Sequence, residues 1–192
     1  MRKSVVTSVS LAFICIAAPA WAHPGHALAG GLATGLLHPL LGIDHLAAMV
    51  LVGLWAAQLG GRALWAVPIA FVSMMAVGTA LAVQGIAVPA IEAGVMASLL
   101  VLGALVMSVS RLRPFAAAAT VGLFALFHGA AHGQELPAMS QATAYAAGFL
   151  LATAALHIAG IFIGRWSMRG SGLLARVAGG VAVATGLVLI AG

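Results

Sequence analysis

His38-Pro39-Leu40-Leu41-Gly42-Ile43-Asp44-His45 puts two imidazoles and a carboxylate inside an apolar stretch that runs from about residue 30 to residue 58. As a helix, a stretch of that length crosses the roughly 30 Å hydrocarbon core of a bilayer. An ionisable group at that depth costs about 2.5 kcal/mol or more, so it marks function by default. A second segment of the same kind follows, His128-Gly129-Ala130-Ala131-His132-Gly133-Gln134-Glu135. The two segments hold two of the three acidic residues and four of the seven histidines. Coordinating chemistry concentrated in two apolar segments reads as a path for a metal ion through a membrane.

The rest of the chain fits a membrane protein. Of 192 residues, 64% are hydrophobic and 6% charged, where a soluble domain carries about 25% charged residues. The expected fold is all-α, a polytopic bundle of about six transmembrane helices after a cleaved signal peptide, with no room for a separate soluble domain. Arg2 and Lys3, the apolar run over 5–18 and Ala20-Trp21-Ala22 match a secretory signal, so residues 1–22 are read as the signal peptide and 23–192 as the membrane domain. Cys15, the only cysteine, leaves with that signal, and the mature chain then has neither a disulfide nor a thiolate ligand. The net charge of +5 comes from scattered arginines; without a basic patch it argues against a nucleic-acid partner.

Breaks between apolar runs predict spans over 30–58, 64–84, 91–110, 115–134, 141–164 and 173–191. Arg62, Arg111, Arg113, Arg165, Arg169 and Arg176 all fall in or beside alternate connections, whereas the connections around 84–92 and 135–141 have no lysine or arginine. The positive-inside rule then puts both mature termini outside the cytoplasm, in the inner membrane of the cell, as a secretory signal also requires. Trp55, Trp65 and Trp166 sit near the basic ends and are expected in an interfacial belt. The halves, spans one to three and four to six, each open with a histidine-bearing helix, so a 3+3 inverted repeat and an asymmetric bundle are both open.

This topology carries both histidine segments to the same, outer side. On a continuous helix His38 and His45 share a face, with Asp44 about 100° away. His128, His132 and Glu135, at i, i+4 and i+7, line one face of the fourth span. Pro39 and Gly42 invite a locally unwound segment, tolerated at membrane depth where it lines a cavity. Gly31-x-x-x-Gly35, Gly129-x-x-x-Gly133 and Gly160-x-x-x-Gly164 fit close helix packing. Three further histidines stand apart. His23 and His26 would lie at the mature N-terminus, as a capture site or an unstructured end. His157, deep in the fifth span, would be an inner relay site or a histidine bonded to a neighbouring helix. Met49 would be a soft ligand or core packing, and Glu92 a solvated residue at an outer boundary.

His38-Pro-Leu-Leu-Gly-Ile-Asp-His45 resembles the HPxxGxDH signature of the HupE/UreJ family of nickel permeases, and Phe127-His-Gly-Ala-Ala-His-Gly-Gln-Glu135 is similar to that family's second motif. The resemblance extends over essentially the whole chain, with no departure in either motif. It implies a nickel transporter, with cobalt as the other candidate cargo, serving enzymes such as hydrogenase or urease. His38, Asp44, His45, His128, His132 and Glu135 are carried over as the metal-handling residues. No permanently bound cofactor is implied; the partners are a divalent cation and the lipid bilayer, with oligomeric state left open.

The chemistry read from the residues alone is broader. Imidazole suits nickel, copper, zinc and iron, and a transporter needs sites weak enough to release the ion. There is no Gly-Lys-Ser/Thr phosphate loop for ATP coupling. His-Glu-x-x-His is also missing, so an intramembrane metalloprotease lacks its general base. Two other classes stay open: a non-transporting metal sensor or metallocentre-assembly partner, which would bind without uptake, and a bis-histidine haem electron carrier, which would be coloured. None of these readings is enzymatic apart from the protease.

Overall fold

The computed structural model describes residues 31–136 and 139–191. The expected signal peptide and its cleavage site, His23 and His26 lie outside them. Among the described residues the chain is helical throughout, as α1 (Leu32–Leu41), α2 (Ile43–Leu59), α3 (Ala63–Val83), α4 (Ile91–Met107), α5 (Pro114–Gln134), α6 (Met139–Met168) and α7 (Leu173–Ala191). A backbone in lipid must satisfy its polar groups internally, which leaves helices as the way to fold these apolar runs. Helices α3, α5 and α7 and the Ala142–Met168 part of α6 are each long and apolar enough to cross a bilayer, and α1 with α2 adds a fifth crossing if the pair is one span. The chain is a multi-pass membrane protein.

Two of the expected spans differ from what the structure shows. The stretch 30–58 is not one helix: α1 and α2 meet at 89°. Pro39 has no amide hydrogen to give the preceding turn, and Gly42 adopts an extended backbone (φ −96°, ψ 116°). The ladder therefore stops after Leu41 and restarts with the Leu46 amide on the Gly42 carbonyl at 2.9 Å. The common face expected for His38 and His45, with Asp44 turned away from it, required a continuous helix and does not hold. The third expected span, 91–110, gives the 17-residue α4, about 26 Å long at 1.5 Å per residue. Its last turns open into the connection that carries Arg111 and Arg113.

Close backbone approaches organise the bundle. A Cβ on Gly129 would strike the Met75 backbone, and one on Gly78 the Leu126 backbone; the Thr79 hydroxyl donates to the Gly129 carbonyl at 3.0 Å. Helices α3 and α5 thus lie side by side in the same direction. Gly53 and Gly160 play the same part between α2 and α6, each facing the other's helix backbone. The expected small-residue packing holds at Gly35, Gly129, Gly133, Gly160 and Gly164, each lying against a neighbouring helix. Apolar residues cover both surfaces of the helices: Met49, Phe71, Leu99 and Val121 are buried, whereas Leu123, Leu151, Phe162 and Val188 face outward, as lipid contact allows.

Alternating directions gather the arginine-bearing connections at one end. There the Trp55 indole donates to the Ser110 carbonyl at 3.0 Å, Gln58 Nε2 to Val106 O at 3.0 Å and Arg176 Nε to Met107 O at 3.1 Å. The arginine satisfies a carbonyl that the end of α4 leaves without a helical partner, and Gln58 adds a second donor to Val106 O, which also accepts from the Val109 amide at 3.2 Å. Trp65 and Trp166 are exposed, in keeping with an interfacial belt, but Trp55 is fully buried. Its expected belt position is corrected: it ties α2 to the α4–α5 connection. The α1–α2 break, the end of α3, the start of α4 and the end of α5 lie at the opposite end.

Candidate metal centre

At that opposite end the α1–α2 break turns its two histidines toward the last turns of α5. Asp44, in the first turn of α2, sits where unpaired amides favour a negative charge, and its Oδ1 accepts from the His45 backbone amide at 2.9 Å. The same oxygen accepts from His45 Nδ1–H at 2.8 Å. That bond fixes the ring, so His45 Nε2 carries the lone pair. Buried and without a hydrogen-bond partner among the described residues, it faces the α5 rings, with the His132 centroid at 4.3 Å and the His128 centroid at 4.9 Å.

His128 is set by a parallel device. The Ser98 hydroxyl on α4 gives its single proton to the Val95 carbonyl at 2.6 Å and therefore accepts from His128 Nε2–H at 2.9 Å. Nδ1 of His128 is left as the bare nitrogen, also buried and unpartnered. His132 is 3% exposed, and neither of its ring nitrogens has a hydrogen bond among the described residues; its ring centroid lies 4.1 Å from that of Phe149, tilted, and 4.8 Å from that of His38, edge-on. A buried polar atom without a partner forfeits its hydration. His45, His128 and His132 can thus each offer one buried imidazole nitrogen to a cation.

Toward solvent, Glu135 Oε2 accepts from His38 Nε2 at 2.9 Å and lies 3.6 Å from His132 Nδ1. Ligand atoms of His38, His132 and Glu135 all fall within 4.8 Å of one another, a group able to hold a metal ion. The His132 and His38 rings beside Glu135 hold its carboxyl well below the ordinary carboxylate range. Side-chain exposure declines from 51% at Glu135 through 27% at His38 to 15% at His45, and His128 is fully buried. The donors descend from the surface into the bundle.

All six residues of the two motifs are therefore brought together, whereas His157 lies deeper, on the far side of Phe71. That ring is 5.7 Å from His128 and 5.0 Å from His157. Glu92 is exposed in the first turn of α4. Sequence reading missed Ser98, Phe71 and Phe149. Only Ser98 had a signal, as the one hydroxyl in the apolar run of α4; nothing sets the aromatic residues apart from ordinary core packing.

Known proteins match this chain along its length. The family profile described as "HupE / UreJ protein" matches residues 11–189. "Protein HupE" of Rhizobium leguminosarum bv. viciae is 46% identical over 193 residues, covering 100% of each chain. No solved structure matches. The chain belongs to the HupE/UreJ family.

Proposed function

We propose that this protein carries a divalent transition metal, Ni2+ with Co2+ as the other candidate, inward across the cytoplasmic membrane to supply a nickel enzyme such as hydrogenase or urease. The observation that carries this reading is the set of buried, unpartnered nitrogens at His45, His128 and His132, contributed by two separate elements at one end of a membrane bundle. Imidazole with carboxylate suits a borderline divalent cation. Glu135 and His38 take the ion from water, His132, His45 and His128 replace its hydration shell, and Asp44 orients His45 while adding negative charge. Such outer hydrogen bonds fix the tautomer and raise the basicity of a ligand. His23 and His26 join the outer capture set in this reading.

The topology belongs to the same proposal. The signal peptide over 1–22 is removed, α1–α2 serves as one broken span and α4 as another, which makes six, and both termini face outward. Discontinuous helices at a binding site are a recurrent transporter device. The side-by-side pairing of α2 with α6 and of α3 with α5 is the exchange that a 3+3 inverted repeat requires. Purified protein in liposomes tests the function: time-dependent Ni2+ accumulation beyond the bound amount is expected. Stoichiometric binding without accumulation would favour a sensor or assembly partner instead.

A further inference from the structure

Below the motif residues, His157 on α6 is 1% exposed, and neither of its ring nitrogens has a hydrogen-bond partner among the described residues. A histidine serving only to bond a neighbouring helix would have one. One turn earlier on α6, the Thr153 hydroxyl donates to Phe149 O at 2.9 Å and lies 3.4 Å from Met49 Sδ and 4.0 Å from Met75 Sδ. Met75 is one turn from Phe71 on α3, and the Phe71 ring meets His157 edge-on at 5.0 Å. Met49 is one turn from Gly53 on α2, whose Cα lies against the His157 carbonyl. Three helices therefore set two thioethers and a hydroxyl on one level and His157 on the next. The Met75 level is also that of His128, since Gly129 packs on the Met75 backbone.

We propose an inner metal station of two steps, the thioethers of Met49 and Met75 at the level of His128 and then His157 beyond the Phe71 ring. The proposal rests on the metal-transport reading above and gives it an exit. An ion on His128 has no aqueous way onward, because Phe71 is fully buried. Thioethers at the His128 level supply soft, uncharged donors that hold a borderline cation weakly. Weak, closely spaced sites are what conduction needs, since an ion must be able to leave each one. Rotation of Phe71 then controls the transfer from Met75 to His157, and the unpartnered imidazole accepts the ion without first breaking a hydrogen bond.

The experiment uses the full-length protein, with Ni2+ as the probe, in detergent for binding and in liposomes for uptake. His157→Gln keeps a polar side chain but removes the imidazole. It is expected to lower the Ni2+ stoichiometry by one, to cut uptake at least about tenfold, as losses around a metal site do, and to leave affinity at the outer cluster within about twofold. His157→Met, a substitute donor, recovers part of the uptake that Gln loses. Ni2+ X-ray absorption is expected to show a sulfur shell that disappears in Met49→Leu/Met75→Leu. Unchanged stoichiometry and uptake in His157→Gln would overturn the station, as would outer affinity falling in step with uptake. If His157→Gln does not fold, the sulfur shell decides, and its absence from the wild-type spectrum overturns the proposal. Wild-type protein that binds Ni2+ but accumulates none would sink the transport reading alone, because stoichiometry and the sulfur shell still report on the station.

Discussion

His45 and His128 are each held by one hydrogen bond that leaves the other ring nitrogen bare, and the two anchors differ in charge. Asp44→Asn keeps the shape of the His45 anchor but loses its charge, and Ni2+ uptake is expected to fall about 10- to 100-fold while the protein still inserts. Ser98→Ala leaves the His128 Nε2–H without its acceptor at 2.9 Å, frees the tautomer and is expected to weaken Ni2+ binding about tenfold; Ser98→Thr retains the acceptor and the affinity. Radioactive Ni2+ uptake into liposomes measures the first, and equilibrium binding of the same isotope the second. Glu135 adds a pH signature. Its folded carboxyl titrates below the ordinary value because of His132 and His38, so its contribution to stability is present above the ordinary glutamate pKa of about 4.3 and is lost as pH falls through the lowered one. Comparing melting of wild type and Glu135→Gln from neutral to acid pH should show a wild-type advantage that persists to about pH 5 and fades in stronger acid. The group is half-exposed, which limits that advantage to about 1 kcal/mol.

Between helices, the contrast of Gly129 with Gly122 isolates what close approach contributes. A Cβ at Gly129 meets the Met75 backbone, which cannot move without separating α3 from α5, whereas at Gly122 it meets Met74 Cγ at 3.1 Å, a flexible side chain. Gly129→Ala is expected to destabilise by about 1–3 kcal/mol, the usual cost of overpacking, and Gly122→Ala by less than about 1 kcal/mol. Thermal unfolding in detergent compares them. The elements themselves were largely legible in the sequence, because lipid imposes long apolar runs and arginines punctuate them. The α1–α2 break was half legible. Pro39 and Gly42 announced a distortion, but an angle of 89° depends on how α1 and α2 pack on α6, through Gly35 and Gly148 and through Gly53 and Gly160. In the candidate site, spacing identified the motif residues of α5. The meeting of His38, His45 and α5 came from the break, not from the heptad spacing that suggested it, and Ser98 belongs to a helix with no motif. Trp55 shows the same limit: its sequence position suited an interface, and its indole found a buried carbonyl instead.

Across the whole molecule, charge and coordination occupy opposite ends. Arg62, Arg111, Arg113, Arg165, Arg169 and Arg176 lie at one end and the histidine cluster at the other, and this polarity decides which side of the membrane the donors, whose exposure declines from Glu135 to His128, are open to. If the arginine end is cytoplasmic, as the positive-inside rule demands, the exposed carboxylate faces the exterior and the protein is built for capture from outside. Were the bundle inverted, the same donors would collect metal from the cytoplasm. Single cysteines in a Cys15→Ser background separate the two arrangements with a membrane-impermeant maleimide. Gly61→Cys and Ser171→Cys, both in connections at the arginine end, are expected to react only after permeabilisation, and Ile86→Cys and Val88→Cys, between α3 and α4, in intact cells. Labelling of Gly61→Cys from outside intact cells, with Ile86→Cys protected, would reverse the orientation and put the exposed donors on the cytoplasmic side, against the proposed capture from outside.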